Sequence, residues 1–390
     1  MECRHCGSTR LRKKGMRNNL RRYYCNDCKK YFTEKNPAFN QDGQSRKKEI
    51  YGGYKPRRAW EQRTKDGEIV VLHSAEYDVM MENFDKFEKS TIGLYKEIIK
   101  DINPISIKKE KIDEPIAVRI YTSDKHIGAD TRNAIYGNKY NAKVAKSRIE
   151  ETLDCLKQLK DVYGHFDLIA FDDLGDGVDG INRQTARKQH QLDQNLESEE
   201  QFDAYVTIHK KIFDTIIENN FANNYRYTVC ANDNHNGFFM YITARALEEY
   251  LNARYPEIKT DVSKKFIFNQ SYGIHRFVFT HGKDDRYLKY GFPKILNEKI
   301  EKYVNDYIDY HGLNKHLEYA QEKACIHLIK GDLHTSNEQF GARFRYKNIM
   351  SVYGSSTYIQ HNYGVGYNGF EFEIFYKNKP KYISGKNFYF

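Results

Sequence analysis

The chain has 390 residues, enough for one large domain and a small additional module. It contains 32 Tyr and 23 Phe against 7 Pro, which excludes a disordered chain and indicates a packed globular protein. The formal net charge of +10 is concentrated at the start, where residues 1–68 carry 19 Lys and Arg against 8 Asp and Glu. Such a basic end is typical of proteins that bind a polyanion, although a solvated basic surface would have the same composition.

The sequence shows neither an export signal nor a membrane span. The first residues, MECRHC, contain no apolar stretch, and no apolar run approaches the roughly 20 residues that a transmembrane helix needs. Four Cys form two CxxC pairs, while Cys155, Cys230 and Cys325 are scattered. This usage suits a reducing compartment. We therefore expect a cytoplasmic protein without disulfides and without a membrane partner.

The first element is a cysteine module. Cys3 and Cys6 form one CxxC pair, Cys25 and Cys28 form the second, and 18 residues separate the pairs. Two tight turns at this spacing present four thiolates to one tetrahedral Zn²⁺. Because few apolar residues surround the cysteines, we expect the zinc to supply the folding free energy of the module. The sequence therefore predicts a small zinc ribbon with one structural Zn²⁺.

The ribbon is rich in basic and aromatic side chains, which can bind the phosphates and the exposed bases of nucleic acid. Residues 1–32 resemble the zinc ribbons at the start of insertion-sequence transposases, which implies contact with nucleic acid, DNA in particular. A ribbon that docks on a protein partner or on its own catalytic domain is the alternative. The predicted nucleic-acid contacts are Arg12, Lys13, Lys14, Arg17, Arg21, Arg22, Lys29 and Lys30.

Residues 36–114 are predicted to be a linker and accessory segment. The polar stretch from Asn36 to about Arg63 has few apolar residues. A short strand is predicted at Glu68–His73, and apolar residues at helical spacing predict a helix from Tyr77 to Ile99.

From Pro115 onward, short β-branched runs alternate with amphipathic helices, which is the pattern of an α/β domain with a mostly parallel sheet. Two covering helices are predicted, at Ala142–Val162 and Gln201–Ile217. Later Tyr- and Phe-rich runs, which include Met350–Tyr353, Thr357–Gln360 and Phe370–Tyr376, predict antiparallel strands of a second sheet. The predicted core strands are Ile116–Tyr121, Asp167–Phe171, Tyr225–Cys230, Arg276–Thr280 and Cys325–Ile329.

Each core strand leads into side chains of the type that bind metals. Ligands of open α/β sheets gather at the carboxyl ends of the strands, so these five ends are expected to meet in one crevice. One such fragment alone would carry little weight, but five in series indicate a metal site. In chain order the fragments are SDKH, GDGVD, NDNH, THG and GDLH, which contain Asp124, His126, Asp176, Asp179, Asn234, His235, His281, Asp332 and His334.

This series resembles the five signature motifs of the calcineurin-like metallophosphoesterases, over residues 115 to about 360. The nearest branch is that of the DNA-repair exonucleases, including versions carried by bacteriophages, for which the location would be the host cytoplasm. The resemblance implies a two-sheet sandwich flanked by helices, two divalent cations and hydrolysis of phosphoester bonds. Its branch favours Mn²⁺, with Mg²⁺, Fe and Zn²⁺ as alternatives.

The resemblance also implies a role for each residue. Asp176 would bridge the two metals, and His235 would stabilise the transition state or protonate the leaving oxygen. Asp179 would orient a ligand or the bridging water. The remaining implied ligands are Asp124, His126 and His334 for one metal, and Asn234, His281 and Asp332 for the other.

The sequence departs from the family pattern at three places. Asp332 stands where the family usually has His, so the second metal site becomes harder or loses a ligand. Gly180 stands where many phosphatases carry Arg, which weakens a phosphomonoesterase reading. Asp233 and Asn236 replace a Gly and an acid, which leaves the partner of His235 open.

The predicted organisation is a zinc ribbon at 1–35, a linker and accessory segment at 36–114, and a catalytic domain at 115–390. The leading hypothesis is a two-metal phosphodiesterase, a DNA exonuclease or endonuclease recruited by the ribbon. The alternatives are a phosphatase or small-nucleotide phosphodiesterase, and a non-catalytic nucleic-acid-binding protein. The polar segment Arg183–Asn195 is expected to be a solvated loop or helix, and nearby Asp172, Asp173, Asp284 and Asp285 are expected at the surface.

Overall fold

The computed structural model describes residues 2–3, 5–17, 20–33, 60–63, 69–72, 93, 99–131, 139–187, 190–284, 291–314, 324–354 and 367–389. The chain forms two compact units, Met1–Ser90 and Thr91–Phe390. The helix predicted at Tyr77–Ile99 lies almost wholly outside the described residues, as do Asp285 and the strand predicted at Thr357–Gln360.

In the first unit, strands β1 (Leu11–Arg17), β2 (Leu20–Cys25) and β3 (Tyr31–Thr33) form an antiparallel sheet in that order. A separate antiparallel hairpin joins β4 (Trp60–Arg63) to β5 (Ile69–Leu72), which confirms the predicted short strand.

The larger unit contains two sheets. The first has the order β16-β15-β6-β7-β8-β9, in which β6 to β9 are parallel and β15 and β16 are antiparallel to their neighbours. Its strands are β6 (Ile116–Thr122), β7 (Phe166–Asp173), β8 (Ala222–Cys230), β9 (Lys259–Ser263), β15 (Asn368–Tyr376) and β16 (Tyr382–Tyr389).

The second sheet has the order β10-β11-β12-β14-β13, with β11, β12 and β14 parallel and antiparallel strands at both edges. Its strands are β10 (Phe268–Tyr272), β11 (His275–Thr280), β12 (Cys325–Lys330), β13 (Asn337–Phe340) and β14 (Arg345–Asn348).

The helices cover the outer faces of the two sheets. Helices α1 (Ala142–Tyr163), α2 (Ser198–Glu218) and α3 (Phe238–Arg254) share one apolar core with the first sheet, whereas α4 (Glu298–Tyr310) packs on the second. Asn141 caps the start of α1, because its side chain accepts hydrogen bonds from two backbone N–H groups of the first turn. Among the described residues, no helix combines the length and apolar character of a membrane span.

Successive side chains of the strands point to opposite faces of the sheet and so contribute to two different hydrophobic cores. On β6, Val118 and Ile120 belong to the core beneath the helices, while Ala117 and Tyr121 belong to the core between the sheets. The predicted α/β fold class, with two sheets flanked by helices and a small N-terminal cysteine module, is confirmed. The five core strands and both predicted helices are also confirmed, but Met350–Tyr353 is not a strand.

Part of the segment before Pro115 packs on the larger unit. Ile107 is buried in the core, and its backbone N–H donates to Glu257 Oε1 at 3.0 Å. The backbone N–H of Ile105 donates to the carbonyl of Arg254 at 2.7 Å. The predicted boundary at residue 115 stays a prediction, but these contacts attach residues 105–107 to the larger unit.

Buried ion pairs lie between the two sheets. Arg119 binds Asp172 through two hydrogen bonds of 2.7 and 2.8 Å, and both side chains are fully buried. The expectation that Asp172 lies at the surface is therefore wrong. Glu373 accepts hydrogen bonds from Arg345 at 2.6 Å and from Lys347 at 2.6 Å. Burial alone would raise the pKa of Glu373, but Lys347 and Arg345 lower it to about 2.

We predict that Glu373→Gln lowers the free energy of unfolding at pH 7 by about 3–5 kcal/mol, because it leaves buried cations incompletely paired. The pKa of Glu373 is depressed in the folded protein, so its contribution is full above the ordinary value near 4.5 and is lost as the pH falls toward 2. Urea denaturation at several pH values should therefore show the two proteins converging in acid. The exposed Glu199→Gln is the control, with an expected change within about 0.5 kcal/mol. A constant difference from pH 7 to pH 3 would contradict the prediction.

Candidate metal centre

The residues that follow the strand ends adopt an unusual backbone conformation. Asp124, His126, Asp176, Asp332 and His334 have φ angles of 49°, 43°, 49°, 73° and 52°. A residue with a Cβ atom is strained in this left-handed region, at a cost of order 1–3 kcal/mol. Such strain persists only where the surrounding structure enforces it. Five of the sequence-predicted metal ligands are thus held in a conformation that the fold imposes.

One group of donor atoms comes from the loops that follow β6 and β12. Asp124, His126 and His334 each offer a ligand atom, and these atoms lie within 4.8 Å of one another. His334 Nε2 is 3.4 Å from Asp124 Oδ1. The Nδ1 atom of His126 lies 3.0 Å from Asp179 Oδ1, so its Nε2 is the atom left for a metal.

A second group adjoins the first. Asp124, Asp176 and His281 also offer donor atoms within 4.8 Å of one another. His281 Nε2 lies 3.4 Å from Asp176 Oδ2 and 3.1 Å from Asn234 Oδ1. On its other side, Asp176 Oδ2 lies 3.9 Å from His126 Nε2. Asp176 therefore stands between the two groups, where a bridging ligand would be required.

The chemistry of these donors fits divalent cations. In the described part of the structure, Asp124 Oδ1 and His334 Nδ1 are buried without a hydrogen-bond partner. Burial lowers the pKa of His334 to about 4, so its ring is neutral at pH 7, the form that binds metal. Burial alone would raise the pKa of Asp176, but His281 and His235 lower it well below its usual value. The cluster therefore combines an ionised carboxylate with imidazole donors.

His281 indicates that the centre attracts positive charge. Burial would lower its pKa, yet Asp176 raises the pKa well above the ordinary value, with smaller effects from Asp124 and Asp332. The same anionic side chains would attract a divalent cation in place of that proton. The Nδ1 atom of His281 lies 2.7 Å from the carbonyl oxygen of Leu174, which fixes the ring.

Asp332 stands apart from the other predicted ligands. Among the described residues, no group of three His, Cys, Asp or Glu donors within 4.8 Å includes it. Its Oδ2 lies 2.9 Å from the position that a Cβ on Gly291 would occupy. Burial raises its pKa, against the opposing charges of His281 and Lys330. Its role as a ligand stays a prediction.

His235 lies at the edge of the cluster with its side chain 23% exposed, which leaves it open to an incoming molecule. Its backbone N–H donates to Asp176 Oδ1 at 3.2 Å, and its Nδ1 is 3.1 Å from the carbonyl oxygen of Asp179. The partner that the sequence left open is thus a backbone carbonyl. Because that carbonyl can only accept, Nδ1 carries the proton and Nε2 is left free of this contact. His235 also offers a donor atom within 4.8 Å of those of His126 and Asp176.

Asp233 is a site residue whose role the sequence analysis missed. It is fully buried, its Oδ2 accepts the backbone N–H of Asp176 at 3.0 Å, and its Oδ1 accepts those of Asn236 and Gly237 at 2.7 and 3.1 Å. It therefore connects the start of α3 to the central carboxylate. Burial, followed by the nearby Asp176, raises the pKa of Asp233 to about 8.

A second missed feature lies beneath the first donor group. Lys125, between Asp124 and His126, is fully buried and lies 2.5 Å from Asp173 Oδ2. Asp173 also accepts a hydrogen bond of 2.6 Å from Tyr205. The expectation that Asp173 lies at the surface is wrong, and so is that for Asp284, which is also buried. Neither partner leaves a local signal in the sequence. For Asp284 the partner is the guanidinium of Arg187, 3.8 Å away.

The polar segment after the second motif is fixed to the site by its backbone. The N–H groups of Ala186 and Arg187 donate to the carbonyls of His235 and Asn234 at 2.6 and 3.1 Å. Within its described residues this segment forms turns and isolated bridges, which agrees with the loop alternative of the prediction. A Cβ at Gly180 would lie 2.5 Å from Gln184 O and 2.7 Å from Leu192 Cδ1, so the loop leaves no room for the arginine of the family pattern.

The four cysteines of the N-terminal unit converge on a second candidate metal site. Cys3, Cys6, Cys25 and Cys28 offer sulfur atoms within 4.8 Å of one another, and all four are free thiols. Two of the sulfur pairs, Cys3–Cys28 and Cys6–Cys25, are 3.6 Å apart. Four thiolates around one Zn²⁺ with Zn–S bonds of about 2.3 Å would lie about 3.8 Å apart. The sulfur–sulfur distances therefore fit tetrahedral coordination of one ion.

The predicted nucleic-acid contacts of this unit are exposed where their side chains are described. Arg12, Lys13, Lys14, Lys29 and Lys30 are all exposed. Arg22 is partly buried, with its guanidinium 4.2 Å from the ring centre of Tyr31. The side chains of Arg17 and Arg21 lie outside the described residues, and nucleic-acid binding stays a prediction.

No family model and no curated protein matches the sequence. Solved structures with similar folds include Vps29 of Entamoeba histolytica in complex with zinc, with 9% identity, a TM-score of 0.29, and coverage of 70% of this chain and 98% of that one. An archaeal phosphodiesterase has 9% identity and a TM-score of 0.32, with coverage of 69% and 99%. A predicted phosphoesterase of Streptococcus pneumoniae has 11% identity and a TM-score of 0.26, with coverage of 70% and 98%. At these TM-scores the structural similarity says nothing about function.

We predict that Asp179→Ala weakens metal binding at the first donor group by about 10–100-fold, because His126 loses the acceptor that orients its ring. Calorimetric titration of the metal-free protein with Mn²⁺ measures the effect. Gln194→Ala is the matched control, because Gln194 Nε2 donates to Asp179 Oδ2 at 3.0 Å and orients His126 only indirectly. Equal Mn²⁺ affinity in the Asp179→Ala variant and the unmodified protein would refute the role of Asp179.

Proposed function

We propose that this protein is a two-metal-dependent phosphodiesterase that hydrolyses nucleic acid, DNA in particular. The observation that carries the proposal is the convergence of two adjoining donor groups on the ionised Asp176. Two cations held in this way would neutralise phosphate charge and activate a water molecule for attack on phosphorus. Asp124, His126 and His334 would hold one cation, Asn234 and His281 would hold the other, and Asp176 would contact both.

Two further residues of the site, His235 and Asp233, would have roles other than binding the cations. His235 would lie beside the substrate and stabilise the transition state or, when Nε2 also carries a proton, donate that proton to the leaving oxygen. The carbonyl of Asp179 fixes the ring in this orientation. Asp233 holds the backbone of Asp176, so the bridging carboxylate keeps its position when a charged substrate enters.

The loop after the second motif favours diesters over monoesters. A terminal phosphate carries more negative charge than a diester and is usually bound by an additional cationic side chain. At Gly180 the approach of Gln184 and Leu192 excludes any side chain. A diester, with one negative charge and a substituent on each side, needs no such cation there.

The cysteine module adds the preference for nucleic acid. Zinc in the four-thiolate site would keep the small sheet folded, and the exposed basic side chains would then lie on a fixed surface. Lys and Arg on such a surface bind phosphates without regard to sequence. A diesterase centre and a module that binds polyanions in the same chain both suit a nuclease.

We predict that the purified protein with Mn²⁺ hydrolyses DNA and bis-p-nitrophenyl phosphate, with little activity on the mono-ester. Asp176→Asn should reduce this activity by at least about 100-fold, because the carboxylate shared by both cations is lost. Linear, circular, single-stranded and double-stranded DNA should be compared to separate cleavage at ends from internal cleavage. The matched control is Asp203→Asn, an exposed aspartate of α2, with unchanged activity expected.

Full activity in the Asp176→Asn variant would defeat the proposal. Mono-ester hydrolysis without diester hydrolysis would instead identify a phosphatase. Zinc bound by the cysteines, with no cation in the candidate metal centre, would identify a non-catalytic binding protein.

A second prediction concerns Asp332, whose negative charge contributes to the raised pKa of His281 and whose carboxylate is a predicted ligand of the second cation. Oxygen favours Mn²⁺ and Mg²⁺ over Zn²⁺, so Asp332→His should shift the metal preference toward Zn²⁺. The ratio of kcat/KM with Zn²⁺ to that with Mn²⁺ on bis-p-nitrophenyl phosphate should rise by about tenfold. Asp332→Asn keeps an oxygen donor and serves as the control. An unchanged ratio in the His variant would show that residue 332 does not contact the cation.

A further inference from the structure

Two tyrosines of the N-terminal sheet, Tyr24 and Tyr31, are not part of its hydrophobic core. Arg12, Tyr24 and Tyr31 are cross-strand partners in one row of β1, β2 and β3, and the next row contains Lys13, Tyr23 and Phe32. Successive side chains of a strand point to opposite faces. Tyr23 and Phe32 are buried with Cys3 and Cys25, so their row faces the cysteine site. The row of Tyr24 therefore faces outward.

The rings on this outer face are accessible and held in place. Tyr31 is 49% exposed, and its ring centre lies 4.8 Å from that of Tyr24. The Arg22 guanidinium lies over the Tyr31 ring, 4.2 Å from the ring centre, and helps to hold the ring in position. An aromatic ring whose position is already fixed loses little conformational entropy when a flat ligand stacks on it. We call Arg12, Arg22, Tyr24 and Tyr31 the tyrosine face.

The charge around the tyrosine face selects an anionic ligand. Arg12 lies in the same row as the two rings, Arg22 packs on one of them, and Lys29 and Lys30 directly precede Tyr31. Duplex DNA could use these cations, but its bases are stacked on each other and offer no free ring surface. Unpaired bases offer both a phosphate and a ring to stack, and each stacked base contributes favourably whatever its identity.

We propose that the tyrosine face binds single-stranded nucleic acid by stacking unpaired bases on Tyr24 and Tyr31. This inference rests on the proposed function and narrows it, since it makes single strands, or the unpaired ends and gaps of a duplex, the substrate that the module brings to the metal centre. Arg12 and Arg22 bind the adjacent phosphates. The expected preference is for strand state and not for sequence.

The test uses the full-length, zinc-loaded protein without added Mn²⁺, so that binding is measured without cleavage. A short single-stranded oligonucleotide with a 2-aminopurine base reports affinity by anisotropy and stacking by fluorescence quenching. The unmodified protein should bind it about tenfold or more tightly than the matched duplex. Tyr31→Leu should weaken single-strand binding by about five- to a hundredfold and reduce the quenching, whereas Tyr31→Phe keeps both.

Two further variants complete the test. Tyr310→Leu removes a tyrosine that is 86% exposed on α4, outside the cysteine module, and should leave binding unchanged. Arg22→Gln should reduce the slope of log affinity against log salt by about 0.7, as expected when one contact to a single-strand phosphate is lost. Zinc content, measured for every variant, verifies that the module is folded. If Tyr31→Leu loses zinc, Tyr24→Leu and the strand preference of the unmodified protein decide the question.

Equal affinity for single strands and duplex would overturn the proposal, and so would unchanged binding in a zinc-loaded Tyr31→Leu variant. A face that docks on a protein would give both results. Hydrolysis of bis-p-nitrophenyl phosphate by the unmodified protein with Mn²⁺ tests the proposed function separately. Hydrolysis without a single-strand preference defeats only the tyrosine face, whereas single-strand binding without hydrolysis defeats only the nuclease.

Discussion

The structure of the larger unit depends on a concentration of negative charge that its own side chains do not fully neutralise. Asp176 is ionised among imidazoles, and in the described residues the buried Asp124 Oδ1 accepts no hydrogen bond. Buried charge of this kind is costly unless a counter-ion compensates it. Strained backbone at Asp124 and Asp176 adds to the cost. The fold therefore loses some stability by holding these oxygens close together. A cation bound between them would compensate this cost.

The surrounding polar groups show how that arrangement is maintained. Lys125 and Asp173 form a buried pair directly beneath the ligands of β6, and Asp233 ties the start of α3 to Asp176. Between the sheets, Glu373 is held by two cationic side chains. Each of these groups is paired within the protein, in contrast to Asp124 Oδ1 of the metal centre, which accepts no hydrogen bond among the described residues. The paired groups stabilise the fold, whereas the unpaired carboxylate oxygen is available to bind a cation.

Much of the larger unit could be predicted from the sequence, because its β-branched core strands and its ligand-type motifs alternate in a regular order. Helix α3 was not predicted, since FFMYITARALEEYLNAR is apolar on most sides and has no clear 3.6-residue pattern. The buried roles of Asp172 and Asp173 were also missed, because a carboxylate beside a motif looks solvated until its partner, Arg119 or Lys125, is known. Long-range pairs of this kind leave no local signal. For the cysteine module the CxxC spacing was sufficient to predict that the four sulfur atoms converge.

The attachment of the loop after Gly180 has a consequence for how this protein could diversify. Its contacts to His235 and Asn234 are made by main-chain amides of Ala186 and Arg187, which any residue except proline supplies. Exposed side chains of this loop, such as those of Ala186 and His190, can therefore be exchanged without breaking these main-chain contacts. Related chains could therefore differ in this stretch while keeping the residues of the candidate metal centre unchanged.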